Sequence, residues 1–408
     1  MKLSRIALRN VFRNGRRSLL SVTAVAVAAL AITLLFAVFE GIKVDIRENS
    51  WNYEAGQVRI RNADFDRYEY LNPVQYVVPE AGALVSELRE LPDVRAVSPR
   101  INVQGVSFRD DRSIAARGIG VDLERESEYQ DLASVVARGR LPEPGSSEAI
   151  LGVGLARELG VEIGDMATFL TETRTRASNA FTVDVVGIAA FSVAAMNNNA
   201  YIMSLEAAAR YIRAGDGVSE ILIKGDDVEA GALARTVRSA LDRHGPEGMN
   251  VTPWTEVSGG YAYLQAAEVI YAIIALVFFI LASTVVINTT MMTIHERTHE
   301  IGTLSAMGMH GRELVRLFFT EASYLGLAGS AAGVILGVLV ALPLQHVGID
   351  LGPSMEMADM DMSNVLYPVL NVRSTLFVFV YSSAVAMAAS FLPARRAARL
   401  KPVEALRQ

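Results

Sequence analysis

Apolar positions in this chain are gathered into four blocks rather than spread at helix or strand spacing. Residues 18–39 run for 22 positions without a charge, and residues 269–294, 314–347 and 374–392 hold three further blocks. A helix needs roughly 20 apolar residues to cross a hydrocarbon core of about 30 Å, so each block predicts a transmembrane helix, TM1 to TM4. A cleaved leader does not account for 18–39. Its apolar run exceeds the roughly 7–15 residues of a leader core, and no small-x-small site follows it.

Between the first two blocks, residues 40–268 alternate short β-branched runs with helix-like pieces. The runs are Gln57–Ile60, Ala96–Val106, Thr182–Ile188, Ala200–Met203 and Glu220–Lys224. The helix-like pieces are Pro79–Arg89, Leu151–Leu159, Leu205–Ile212 and Val228–His244, with turn signals at Pro142–Gly145 and Gly164-Asp165. They predict one α+β domain, or two closely joined lobes, outside the membrane. The fold class expected for the chain is an α-helical membrane protein of four transmembrane helices, with a large extracytoplasmic α+β domain between TM1 and TM2.

Charge supplies the orientation. Residues 1–17 carry Lys2, Arg5, Arg9, Arg13, Arg16 and Arg17 and no acid. Leu3, Ile6, Leu8, Val11 and Phe12 are interleaved, the pattern of a basic amphipathic helix lying on a membrane surface. Residues 40–268 hold 35 acidic and 23 basic residues, 12 negative charges net. The loop at 348–373 has Asp350, Glu356, Asp359 and Asp361 against Arg373, whereas the tail at 393–408 carries Arg395, Arg396, Arg399, Lys401 and Arg407. The positive-inside rule then places the N-terminal helix, the 295–313 segment and the tail in the cytoplasm, and the acidic domain and loop outside. A chain that is 51% hydrophobic and 20% charged has the balance of a membrane protein with one sizeable aqueous domain. The absence of cysteine excludes structural disulfides, thiolate metal sites and a lipidated N-terminal cysteine.

The short charged segment between TM2 and TM3 is the feature that most constrains function. It runs His295-Glu296-Arg297-Thr298-His299-Glu300-Ile301-Gly302-Thr303-Leu304 and onward to 313. Glu296 and Glu300 lie one helical turn apart, and Ile301 and Leu304 supply an apolar edge, so it should present a rigid two-faced surface beside the bilayer. In TM3, Gly329, Gly333 and Gly337 recur every four residues, a spacing that lets another helix approach closely. TM3 is therefore expected to pack against protein, with a second permease subunit as the candidate. Glu321, the acid inside TM3, is expected at the membrane interface rather than in a relay. No span carries a row of polar groups that would line a pore.

Glu296-Arg297-x-x-Glu300-Ile301-Gly302, followed by Ala306-x-Gly308, resembles the cytoplasmic segment of the FtsX/MacB-like ABC transporter permeases. That superfamily includes the lipoprotein-releasing LolC/LolE-type permeases, the macrolide exporters and the cell-division protein FtsX. Further resemblances run nearly end to end: Ala7-Leu8-Arg9-Asn10 with Arg13 and Arg16-Arg17 at the start, and Leu91-Pro92-Asp93-Val94 before Ser98-Pro99-Arg100. Ile150-Leu151-Gly152 with Leu155-Ala156, Leu159-Gly160 and Gly164-Asp165 follows, and Pro393 to Arg399 with Pro402 to Arg407 ends the chain. The resemblance implies a MacB-like periplasmic core at 40–268, an FtsX-like permease domain at 269–400, an elbow helix at 1–17 and a coupling segment at 295–313. It also implies a separate cytoplasmic ABC ATPase subunit, contacted through Glu296, Arg297, Glu300, Ile301, Gly302 and Leu304. A second permease subunit, identical or not, would complete the pair in a bacterial inner membrane. Membrane lipids surround it, and lipoprotein cargo or a periplasmic partner is what the outer domain would hold. Nucleic acid has no place in this scheme.

The chain itself is not expected to be an enzyme, because none of its four lysines follows a Gly-x-x-x-x-Gly. No cofactor and no metal are implied. Its departure from the fused macrolide exporters, and an outer domain of about 229 residues, favour the lipoprotein-releasing type. Export of a small hydrophobic compound and regulation of cell-wall hydrolases are alternatives that use the same transmission mechanism. A remote one is a membrane zinc protease, since His295-Glu296-x-x-His299 is an HExxH motif. It lacks an evident third ligand: His244 and His346 fall on the other side, and His310 and Glu321 are at no familiar spacing. Met355, Met357, Met360 and Met362 are read as a flexible apolar lip rather than a Cu(I) site.

Overall fold

The structure is a computed structural model that describes residues 2–13, 15–69, 73–109, 112–351 and 363–397. The methionines at 355–362 and the basic tail beyond 397 lie outside the described residues. Two compact units make up the chain, the first being 1–44, 265–349 and 366–408, the second 45–264 and 350–365.

The first unit is helical. An elbow helix, Lys2–Arg13, precedes TM1 (Gly15–Asn49), TM2 (Gly259–Glu296), TM3 (Gly311–Val347) and TM4 (Val372–Ala397). At 1.5 Å rise per residue, the 35 to 38 residues of TM1, TM2 and TM3 give about 53–57 Å, well beyond the hydrocarbon thickness. The apolar blocks therefore mark only the middle of longer helices. TM1 is the hub. Its Ala29 and Ile32 pack with Ala275 and Phe279 of TM2 and Val378 of TM4, and Val25 packs with Val286, Ala386 and Ala389. Val269, Ile273 and Ile280 of TM2 and Ile335 and Leu339 of TM3 are exposed, as expected of a surface that meets lipid.

The glycine repeat of TM3 is spent inside the chain, which corrects the expectation of a second subunit there. A Cβ at Gly329 would stand 2.8 Å from the Val22 carbonyl oxygen, one at Gly333 would stand 2.3 Å from that of Ala26, and one at Gly337 would stand 2.8 Å from Thr33 Cβ. All three partners are on TM1. With no hydrophobic drive between helices in lipid, backbone-to-backbone closeness of this kind is what holds TM1 to TM3.

In the second unit the described residues form a ten-stranded sheet. Its strands are β1 (Val58–Asn62), β2 (Val94–Arg109), β3 (Arg112–Val121), β4 (Val136–Gly139), β5 (Glu148–Gly152), β6 (Met166–Glu172), β7 (Ser178–Ala189), β8 (Ala200–Ser204), β9 (Glu220–Gly225) and β10 (Met249–Pro253). Their order is β10-β1-β9-β2-β3-β8-β5-β7-β4, with β6 joining β2 and β7. β3 with β8 and β5 with β7 are the parallel pairs. The predicted helix at Leu151–Leu159 begins only at Val153, because Ala149 to Leu151 are fully buried in β5. Helices Ala81–Arg89, Leu205–Ile212 and Ala230–His244 supply Leu84, Leu88, Ala207, Ile212, Leu233 and Val237 to the core. Within it, Phe169 stacks on Tyr201 at 4.2 Å between ring centroids. Tyr201 in turn lies over Gly118, where a Cβ would be 2.4 Å from the ring, so only glycine fits this place in β3.

Candidate functional site

TM2 stops at Glu296, Arg297 is a turn, and a new helix, Thr298–Ala306, follows. The break has local causes. The Arg297 N–H is shared between the carbonyls of Thr293 and Ile294, each at 3.2 Å, and the Thr298 hydroxyl donates to the carbonyls of His295 (2.8 Å) and Ile294 (3.1 Å). The last carbonyls of TM2 are thus satisfied from just beyond its end. The second helix ends in a turn at Met307-Gly308, with Gly308 at φ +99°. TM3 restarts from a capping box in which the His310 side chain accepts from the first turn of TM3 and its N–H donates to Glu313 Oε2 at 3.0 Å.

This break changes which residues face outward. Ile301, expected against the ATPase, is 3% exposed and packs with Ile294, Leu314, Phe318 and Ala394. Gly302 is buried as well. Arg297, also expected to face a partner, points into the helical unit. Glu296, Thr303 and Ala306 are exposed, as is Met307 at 78%, a residue the motif did not single out. The side chains of Glu300 and Leu304 lie outside the described residues. His295 ends one helix and His299 belongs to the next, so the single helical face that an HExxH zinc site needs is not formed. His310 serves as a helix cap, and among the described residues no three His, Asp or Glu side chains gather into a metal-sized group.

Arg297 meets Glu321 of TM3, with Nη1 3.5 Å from Oε2. Both are sheltered, Glu321 at 8% exposure, so the acid is held against protein. Asn10 of the elbow helix, itself buried, hydrogen-bonds the same carboxylate. A small cavity of about 30 Å³ beside Glu321 is lined by Ser18, Ser21, Thr289, Thr290 and Thr293. Their protons are committed elsewhere: Ser18 to the Val11 carbonyl, Ser21 to Thr289 Oγ1 at 2.8 Å, and the three threonines to backbone carbonyls of TM2. A polar seam therefore joins the elbow helix, TM1, TM2 and TM3 at the end next to the charged segment.

The extramembrane domain holds two buried charge networks that sequence reading missed. In one, Arg100 and Glu126 pair at 2.5 Å with less than 3% side-chain exposure, and Ser98 also donates to Glu126. Arg100 Nη1 reaches the Asn52 carbonyl at 2.6 Å, and Lys224 reaches Asn52 Oδ1 and the Tyr129 carbonyl. Tyr129 closes the ring by donating to the Trp51 carbonyl at 2.6 Å. The object they hold is the π-helical turn Ser50–Glu54 that follows TM1. Burial, with Arg100 nearby, brings the Lys224 ammonium down to about 8.

In the other network, Arg61 pairs with Glu220 at 2.5 Å and Glu69 at 2.8 Å, and Asn102 donates to Glu220 at 2.7 Å. Burial alone would raise Glu220, but Arg61 and Arg59 outweigh it and hold the carboxyl down to about 2, from an ordinary 4.5. A carboxyl lowered in the folded state makes the unfolded chain bind more protons between those values, so its stabilisation is complete above pH 4.5 and is lost as pH falls toward 2. Unfolding measured across that window should show about 3 kcal/mol of acid-dependent loss from this group. The Glu220→Gln variant should be less stable at neutral pH and lack this slope.

Residues 18–243 match the MacB-like periplasmic core domain and residues 272–402 match the FtsX-like permease C-terminal domain. The chain is 25% identical to the lipoprotein-releasing system transmembrane protein LolC of Neisseria meningitidis, over 98% of its own length and 97% of that protein's. It is 21% identical to an ABC transporter permease of Methanocaldococcus jannaschii, over 98% and 96%. The macrolide export ATP-binding/permease protein MacB of Vibrio parahaemolyticus is 32% identical, but over only 33% of this chain and 18% of that one.

Proposed function

Since the chain belongs to the ABC transporter permeases built from a MacB-like periplasmic core and an FtsX-like permease domain, we propose that it serves lipoprotein release from the inner membrane. The observation that carries this choice of cargo is the end-to-end match to a lipoprotein-releasing transmembrane protein. The macrolide exporter aligns over a third of the chain. That shorter match, at higher identity, supports export of a small hydrophobic compound as the second reading.

In the proposed mechanism a separate ATPase subunit seats against the segment between TM2 and TM3 on the cytoplasmic side, where both termini also lie. Nucleotide-driven closure moves that segment, and the movement reaches the extracytoplasmic domain through the helices rather than through a substrate pore. Glu296 and the protruding Met307 offer the outward contacts, and the family resemblance of the motif assigns Glu300 to the same contact.

Glu300→Lys is expected to assemble with the ATPase in the membrane while lipoprotein release, followed as transfer of lipoprotein out of membrane vesicles, falls at least about tenfold, the factor for about 1.4 kcal/mol. Full release by that variant would refute the assignment of the segment. Wild-type complexes that leave lipoprotein in place but extrude a macrolide would transfer the cargo to the second reading.

A further inference from the structure

We propose that Arg297 and Glu321 form a brace that fixes the hinge between TM2 and the Thr298–Ala306 helix, and that Arg297 works inside the permease rather than on the ATPase. The inference rests on the coupling role proposed above for this segment.

Arg297 is the one non-helical residue between two helices, so it occupies the point where the chain would bend if the segment were pushed. Its guanidinium is not offered to solvent. The side chain is 12% exposed and its ion-pair partner 10%. Glu321 lies ten residues into TM3, about 15 Å along that helix from Gly311. The pair thus ties the hinge to a point well up the neighbouring helix, while the chain itself ties the segment to the start of TM3.

Around this tie, Ile294, Ile301, Leu314, Phe318 and Ala394 form an apolar cluster, and Asn10 shares the carboxylate. Two anchors and an apolar filling make the segment and the ends of TM2 and TM3 one rigid piece. A push on the helix then turns both membrane helices together. Without the brace, the turn at Arg297 absorbs it. Removing either charge strips the other of its opposite charge across a sheltered contact, so the two are expected to act as a unit.

The test is a charge exchange in the full permease–ATPase complex, with permease-stimulated ATP hydrolysis as the activity and ATPase co-purification as the assembly control. Arg297→Glu and Glu321→Arg should each lower stimulated hydrolysis at least about fivefold while the ATPase still co-purifies. The double exchange should return it to within about threefold of wild type. Thermal unfolding of the permease alone should give the same order, with the double variant melting above either single variant. Because the chain has no cysteine, Arg297→Cys with Glu321→Cys gives a second route. Hydrolysis lost in the reduced pair should return when a short bifunctional reagent joins the two thiols.

A double exchange no better than the worse single variant, together with no recovery on cross-linking, overturns the brace. Loss of ATPase co-purification in Arg297→Glu that the exchange does not repair also overturns it, by making Arg297 a partner contact. If the wild-type permease binds no ATPase at all, the coupling reading fails. In that case the unfolding order still decides whether the two charges are joined.

Discussion

Glu126→Ala is expected to destabilise the extracytoplasmic domain by about 3–5 kcal/mol, the cost of removing one partner from a buried ion pair. Glu126 accepts from Arg100 and Gln130 through Oε1 and from Ser98 through Oε2. Its loss strands the Arg100 guanidinium, which is 1% exposed and keeps, among the described residues, the Asn52 carbonyl, Ser98 and the face of the Tyr129 ring but no ion-pair partner in contact. The damage should spread to the turn at Ser50–Glu54, since Arg100, Lys224 and Tyr129 all hold its backbone or side chains. Glu126→Gln should cost less, because the amide oxygen still accepts although the charge is gone. Replacing Arg100 and Glu126 together by methionine and leucine should cost less than Glu126→Ala alone. Urea unfolding followed by tryptophan fluorescence reads all of these, with Trp51 inside the affected turn. A loss below about 1 kcal/mol for Glu126→Ala would mean the network does not hold the turn.

Gly333→Ala is the second large effect, and its sign is the informative part. Helix propensity alone favours alanine by about 1 kcal/mol in a helix interior. Against that, the new methyl would stand 2.3 Å from the Ala26 carbonyl oxygen and 2.7 Å from Ala29 Cβ, both on TM1, and neither is a flexible chain end. Overpacking of this kind costs about 1–3 kcal/mol or more, so the contact wins and the variant should melt lower in detergent. Gly333→Leu should separate TM1 from TM3 and leave little folded permease. Gly231→Ala makes a control: its nearest neighbour is the end of Arg235 at 3.9 Å, so the same exchange should not destabilise there. A Gly333→Ala protein that melts at or above the wild-type temperature would remove the close TM1–TM3 contact from the account.

The four membrane helices were legible because the requirement they answer is local. Each must supply enough consecutive apolar residues to match the hydrocarbon thickness, and that count is visible in the chain. The α+β character of 40–268 was legible for the same reason, through runs such as Glu220–Lys224 and Leu205–Ile212. β3 was not, since Arg112–Val121 holds two alanines and two glycines in a stretch of modest apolarity and owes its place to β2 and to β8, some 80 residues away.

What the sequence determined by itself is the number of spans, the domain between the first two, and the motif order that marks the family. Only the tertiary structure decided which way the motif residues face. A helix carries a residue's direction forward by 100° a step, and one non-helical residue at Arg297 resets that phase for everything after it. Ile301 turns inward and Arg297 finds Glu321 because of that reset. The glycine repeat announced a close helix neighbour, but whether that neighbour was TM1 or another subunit depended on how distant segments meet, which no local spacing encodes.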